Sequence, residues 1–292
     1  MKLSEFFADK KLVRDTHVKL THFANQSVDG IICFVLNEGF IDQANKNENV
    51  KAIITYDKYK DLVHSDKGLI LSDNPKKDYY LLHNYMFEHG YMNIVDEHSI
   101  AKTAQIAPTA IIEKNVVIGE NVIVGDYSII KSQSIIGDNT YIGSHCIIGA
   151  RGLNNTRIDN DFIYVYDAGG VTIGKNCEIL DASIIQKSIH REMTSIGDNT
   201  KISVKVNIGH GTIIGERTLI AGSAQIAGYV SIGNDVWIGP SSVISHNLKI
   251  LDNAEIKIGS VVIKSVKKDA VVSGSFAYDH NKNLKNHIKA QR

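Results

Sequence analysis

The chain has 292 residues, enough for two domains and a sizeable buried core. Lysine plus arginine and aspartate plus glutamate number 32 each, so no net field draws it to nucleic acid or an anionic membrane. Cys33, Cys146 and Cys177 stand far apart in no metal-like spacing, which suits a reducing compartment without disulfides. The opening MKLSEFFADKK lacks the apolar core of a signal peptide. No apolar run approaches the roughly 20 residues that span a bilayer. The expectation is a soluble cytoplasmic protein.

Residues 1–98 predict a small α/β domain. The apolar runs IICFVL (31–36), KAIITY (51–56) and KGLILS (67–72) read as strands. DYYLLHNYMFEHG (78–90) reads as a helix, with Asp78 as N-cap and Gly90 as its stop. From Ile100 an aliphatic residue returns every six positions through Ile148, then at Ile173, Ile179 and Ile185, and again without error from Ile196 to Val262. A period of six is neither helical nor simple strand alternation. It describes short strands joined by tight turns, with one aliphatic side chain per segment turned inward and stacked coil upon coil. This second domain covers 99–266. Two stretches break the period, 151–170 and 186–195, and are expected to leave the solenoid as loops, where function concentrates. His190, in the second break, reads as a solvated surface residue. Residues 267–292 form an extension whose DHNKNLKNHIKAQR predicts one short helix with Leu284 and Ile288 on one face.

Within VNIGHGTIIG one hexad carries His210 two residues after its isoleucine. An imidazole at a corner has no packing reason to be there, and its pKa near neutrality suits proton transfer. This marks His210 as the leading candidate for chemistry.

The hexad form [LIV]-G-x-x-[STAV]-x resembles the hexapeptide-repeat acyltransferases. The resemblance implies a left-handed parallel β-helix of three hexads per coil, and homotrimers with active sites between subunits. Within these, the chain looks like the UDP-3-O-acylglucosamine N-acyltransferases of lipid A synthesis. Those proteins also carry a small N-terminal nucleotide-binding domain, and a histidine motif matched here by Asn207-Ile208-Gly209-His210-Gly211, then Ala221-Gly222 and Ile226-Ala227-Gly228. The resemblance implies His210 as general base, Asn207 as a nearby amide, and His246 as a nucleotide-phosphate contact. It places Gly222 and Ala227 on the acyl-donor side. With 18 residues per coil, Gly228 lies one coil beyond His210, and its N–H is a candidate oxyanion donor; the alternative is a glycine needed only for the turn. The family's uracil-binding spacing is met by Phe34, Asn37 and Phe40 in FVLNEGF, where aromatic faces stack on a base and an amide reads its edge. Phe34 also fits the core of IICFVL, and Phe40 follows an Asn-Glu-Gly turn.

Three departures shift the expected substrate. Gly152-Leu153-Asn154-Asn155 replaces an aromatic run of the family, Ser203 replaces a sugar-binding aspartate, and the C-terminal extension is short. These favour a short acyl group from coenzyme A. The ending VVSGSFA resembles that of coenzyme A-dependent sugar acetyltransferases, with Phe276 in place of proline, and Lys264 is a candidate for the cofactor's phosphates. The expected function is therefore an N-acyltransferase moving a short acyl group from acyl-CoA to the amine of a UDP- or dTDP-linked amino sugar, for cell-surface glycans. No permanently bound cofactor or metal is expected. The alternative is the lipid A enzyme itself, with a hydroxyacyl–acyl carrier protein. Two rivals are weaker. A γ-class carbonic anhydrase shares the repeat and the 36-residue histidine spacing, but its third zinc ligand is replaced by Leu251. A non-catalytic solenoid scaffold leaves His210 unexplained.

Overall fold

The structure is a computed structural model that describes residues 1–7, 11–274 and 289. The N-terminal unit is a five-stranded sheet in the order β1-β5-β4-β3-β2. Its elements are β1 (Leu12–Arg14), β2 (Leu20–Thr21), β3 (Ile31–Phe34), α1 (Glu38–Lys46), β4 (Val50–Thr55), β5 (Gly68–Leu71) and α2 (Pro75–Glu88). The strands are parallel except β1, which pairs antiparallel with β5. The three apolar runs form β3, β4 and β5 because each is buried on both sides, under α2 on one of them.

Two readings of this unit need correction. Helix α2 begins earlier than expected, with Asn74 as its N-cap accepting from the Lys77 N–H and Pro75 at its start. Asp78 instead lies in the first turn, buried, where its carboxylate takes 2.6 Å bonds from Ser72 Oγ and Lys11 Nζ. Asn37-Glu38-Gly39, read as a turn, opens α1, with Asn37 Oδ1 accepting from the Phe40 N–H at 3.2 Å. Gly90 lies two residues past α2 with φ +75°, a conformation that ends helices at little cost to glycine.

From Ser99 the chain winds into a left-handed parallel β-helix, a prism with three faces. The first face carries eight strands, from Ser99–Ile100 to Lys249–Ile250. The second carries nine, from Gln105–Ile106 to Val271–Val272, and the third eight, from Ile111–Ile112 to Val261–Val262. Register is strict: Ile208 pairs with Ile226 and Ile226 with Ile244, eighteen residues apart. The hexad isoleucines point inward; Ile208, Ile226 and Ile244 are at most 1% exposed, and each buried side chain contributes roughly 1.5–3 kcal/mol. At most corners of the prism the third residue after the inward one takes a left-handed conformation. Arg217, Ser223, Tyr229, Asp235, Ser241 and Asn247 have φ between 54° and 60°.

The two breaks are insertions into single coils. Ile148 pairs with Ile185, 37 residues on, and the excess folds out as an antiparallel hairpin, Asn155–Ile158 with Asp161–Tyr164. Its base grips α2: Asn84 Nδ2 donates to Tyr164 O at 2.6 Å, and Tyr166 stacks on Phe87 at 4.7 Å. The second excess is five residues, since Ile173 pairs with Ile196. It packs back on the first, with Ala168 N–H bonding Ile189 O and Gly169 N–H bonding Ser188 O. The insertions therefore join the α/β unit to the prism. The expected C-terminal helix, with Leu284 and Ile288, and the residue Phe276 lie outside the described residues. Among the described residues no helix is long and apolar enough to cross a membrane.

Candidate active site

One edge of the prism, between the third and first faces, gathers most of the predicted residues. The in-register pairing of Ile185, Ile208, Ile226, Ile244 and Val262 stacks Lys187, His210, Gly228, His246 and Lys264 in one column, each two residues after its inward neighbour. Coils lie about 4.8 Å apart, so His246 is roughly 10 Å and Lys264 roughly 14 Å from His210. Asn207 sits just before this edge and its Oδ1 accepts from Gln186 Nε2 at 3.4 Å. Ala227 opens the same corner as Gly228, and its carbonyl accepts from Thr212 Oγ1 at 3.0 Å. Gly222 lies at a different edge, between the second and third faces.

His210 is half-buried and faces outward, lining a cavity of about 260 Å3 with Tyr80 of α2, Asn154, Asn155 and Val165 of the first insertion, and Ile189 of the second. Its ring lies across Gly228: a Cβ there would fall 2.4 Å from His210 Cε1. The residue that carries the turn's positive φ is Tyr229, not Gly228. The glycine is thus needed to admit the imidazole. Among the described residues no backbone carbonyl accepts the Gly228 N–H. His210 Nδ1 is enclosed without a hydrogen-bond partner. Burial lowers the pKa of this imidazole, while the Glu192 carboxylate pulls it the other way. Nε2, which makes no hydrogen bond among the described residues, is the ring atom open to a proton, while the enclosure of Nδ1 without a partner opposes the charged form.

A larger cavity, about 570 Å3, lies between the α/β unit and the same edge. Phe34, Asn37 and Phe40 line it, with Phe23, Gln26 and Gln43, and the prism adds Tyr229 and Asn247. Phe34 is half-buried and rests on Tyr79 at 4.9 Å, whereas Phe40 is 56% exposed. Asn37 Oδ1 is taken by the α1 cap, which leaves its Nδ2 to meet a ligand. His246 is exposed beside Asn247. Lys264 is exposed and lines a separate groove at the end of the prism with Val261, Ile263 and Lys267.

His190 is the clear correction. It is 1% exposed, enclosed between the two units rather than solvated. Its ring stacks on His22 at 4.6 Å and stands edge-on to His83 at 5.7 Å. His22 Nε2 meets Glu192 Oε2 at 3.2 Å, and Ser188 Oγ donates to Glu192 Oε1 at 2.6 Å. The histidine cluster escaped sequence reading because its members are separated by up to 168 positions, and nothing local to SIHRE signals what covers it. The first insertion adds Asp167, buried and bonded by Asn154 Nδ2, with burial pushing its carboxyl up to about 6.

The bacterial transferase hexapeptide (six repeats) family matches residues 115–151. Among solved structures, UDP-N-acetylglucosamine O-acyltransferase (LpxA) from Moraxella catarrhalis RH4 is 28% identical, over 65% of this chain and 75% of its own, with a TM-score of 0.41. UDP-N-acetylglucosamine acyltransferase from Campylobacter jejuni is 21% identical, over 63% and 83%, with a TM-score of 0.45. The acetyltransferase domain of PglB from Neisseria gonorrhoeae FA1090 is 9% identical, over 83% and 96%, with a TM-score of 0.27. No curated protein matches the chain in sequence.

Proposed function

We propose that this chain, whose residues 115–151 match the bacterial transferase hexapeptide family, is an N-acyltransferase that acts on a nucleotide-linked amino sugar. The observation that carries the reading is the imidazole of His210, laid across Gly228 at the mouth of a cavity, with Nδ1 enclosed and unbonded. His210 takes the proton of the acceptor amine as the amine's electron pair attacks the thioester carbonyl. The carbon–sulfur bond then breaks, and the departing thiolate takes that proton back. The Gly228 N–H serves the developing oxyanion, a contribution of about 10²- to 10³-fold.

The acceptor's base enters the 570 Å3 cavity between Phe34 and Phe40, with Asn37 Nδ2 on its edge, a volume within the range of ligand pockets. The cavity reaches Tyr229 on the coil next to His210, so one extended substrate spans both sites. Asn207 and His246 flank that path. The acyl donor approaches along the column from the Lys264 end, past Ala227, while Gly222, at another edge, takes no part in that path. A short acyl group from acyl-CoA is the reading, because the insertions narrow the space at His210 to about 260 Å3. Outward apolar side chains on the prism faces, Ile213, Leu219, Trp237 and Val243, are each 39–55% exposed and fit burial between copies in a homotrimer.

The test is product formation by the purified protein from acetyl-CoA, longer acyl-CoAs or acyl carrier protein, against UDP- and dTDP-amino sugars. Transfer that falls by about 10²- to 10⁴-fold in His210→Ala, with melting unchanged, supports the reading. Activity only with hydroxyacyl–acyl carrier protein moves it to lipid A chemistry. Transfer undiminished in His210→Ala, or none with any pair, sinks it.

A further inference from the structure

We propose that Tyr229 is a positioning residue: its ring sets the imidazole of His210 and connects it to the wall of the nucleotide-sized cavity. The inference rests on the reading of His210 as the base, and concerns a side chain to which that reading gives no role. His210-Gly211 and Gly228-Tyr229 occupy the same corner on adjacent coils, with ring and glycine in reversed order. A Cβ on Gly228 would strike His210 Cε1 at 2.4 Å, and one on Gly211 would strike Tyr229 Cε1 at 2.5 Å. Each ring therefore lies over the other coil's glycine. Between these glycines the rings meet edge to face, with centroids 5.0 Å apart at 79°.

The far side of Tyr229 belongs to the other cavity, with His22, Phe23 and Asn247. Its hydroxyl is enclosed beside Glu192 and Ser188. The ring is held between the two coils by its shape and by packing on Gly211 and His210. It also holds a positive φ of 57°, a conformation glycine would adopt without strain. A side chain wedged between a ligand-sized cavity and an imidazole transmits displacement from one to the other. The other titratable groups near His210 are Lys187 on the preceding coil of the same column, Glu192 and His190 from the second insertion, and Tyr80 from α2. Burial keeps the imidazole below its ordinary pKa, and the Tyr229 ring supplies part of that cover.

The experiment follows the His210 Cε1–H resonance of the full chain through a pH titration, assigned by its loss in His210→Ala. Tyr229→Gly removes the ring at a backbone position where glycine is favoured, so folding is retained; Tyr229→Phe keeps the ring. Tyr229→Phe is expected to preserve the parent His210 midpoint, and Tyr229→Gly to raise it toward 6.5. Added UDP or dTDP is expected to move the resonance in the parent and in Tyr229→Phe, and to leave it in place in Tyr229→Gly. In the acyl-transfer assay, Tyr229→Gly lowers kcat by about 10- to 100-fold with donor KM unchanged. An unshifted His210 midpoint in folded Tyr229→Gly overturns the proposal. So does a nucleotide response that is missing in the parent or survives loss of the ring. Absence of acyl transfer in the parent would defeat the functional reading alone, because the titration needs no turnover.

Discussion

Acid should weaken the joint between the α/β unit and the prism, and His83 supplies a measurable share of that loss. His83 is fully buried; its Nε2 lies 2.8 Å from Tyr166 O and its Nδ1 2.6 Å from Thr21 Oγ1. A carbonyl only accepts, so Nε2 carries the proton and Nδ1 takes the Thr21 hydroxyl: both nitrogens are satisfied in the neutral ring. Burial pushes the imidazole down to about 4 from its ordinary 6.5. The unfolded chain takes up this proton near pH 6.5 and the native chain only near pH 4. Between those values the unfolded state binds more protons, so stability is intact above about 6.5 and is lost as pH falls toward 4. The displacement corresponds to about 3 kcal/mol when complete. His190, driven well below its usual value by the same burial, adds in the same direction.

Asp167 opposes them. Its carboxyl is pushed up to about 6, so it destabilises the native state above that pH and is relieved as pH falls toward 4. A raw stability curve mixes the two signs, and a difference between variants separates them. His83→Gln retains a donor for Tyr166 O and an acceptor for Thr21, and does not titrate. Urea unfolding of parent and variant at pH 7.5, 6.5, 5.5 and 4.5 gives the difference, in which Asp167 cancels and His190, which faces His83 at 5.7 Å, cancels only in part. The variant is expected to be less stable by about 1 kcal/mol at pH 7.5 and to gain on the parent by about 2–3 kcal/mol by pH 4.5. A gap that stays constant with pH would refute the assignment of His83 as a buried neutral ring.

Gly228→Ala places a methyl group where the His210 ring lies, yet leaves the positive-φ position at Tyr229 untouched; melting should hold while acyl transfer falls by about 10²-fold. Melting that drops sharply would make Gly228 a turn residue only. Phe40→Ala removes an exposed ring, so stability should stay within about 0.5 kcal/mol, while calorimetric binding of UDP or dTDP weakens by about 10-fold or more. Asp167→Asn keeps the bond from Asn154 and removes a buried charge; its stability gain, up to about 3 kcal/mol at pH 7.5, should shrink as pH falls from 6 to 4. A gain of the same size at both ends of that range would show that Asp167 titrates as an ordinary carboxyl.

What could be read from the sequence divides along the range of the interactions involved. The prism is legible because its order is local and repeated: Ile202, Ile208 and Ile214 each announce the next strand, and Ser223, Tyr229 and Asn247 fall where a corner turns. The column of His210, Gly228, His246 and Lys264 follows from counting, since one register error would displace them all. Helix α1 was not legible, because Gly39 sits beside Asn37 and looks like a turn, and only the cap to Phe40 decides otherwise. The cover over His210 was not legible either. It depends on how far two insertions fold back, and that is set by contacts such as Asn84 to Tyr164 and His22 to Glu192, 80 and 170 positions apart. The same hexad rule that exposes an imidazole at a corner is silent about what encloses it, and enclosure is what lowers its pKa and narrows its cavity. The position of His210 is therefore written in the repeat, whereas the walls that narrow its cavity come from the two stretches where the repeat stops.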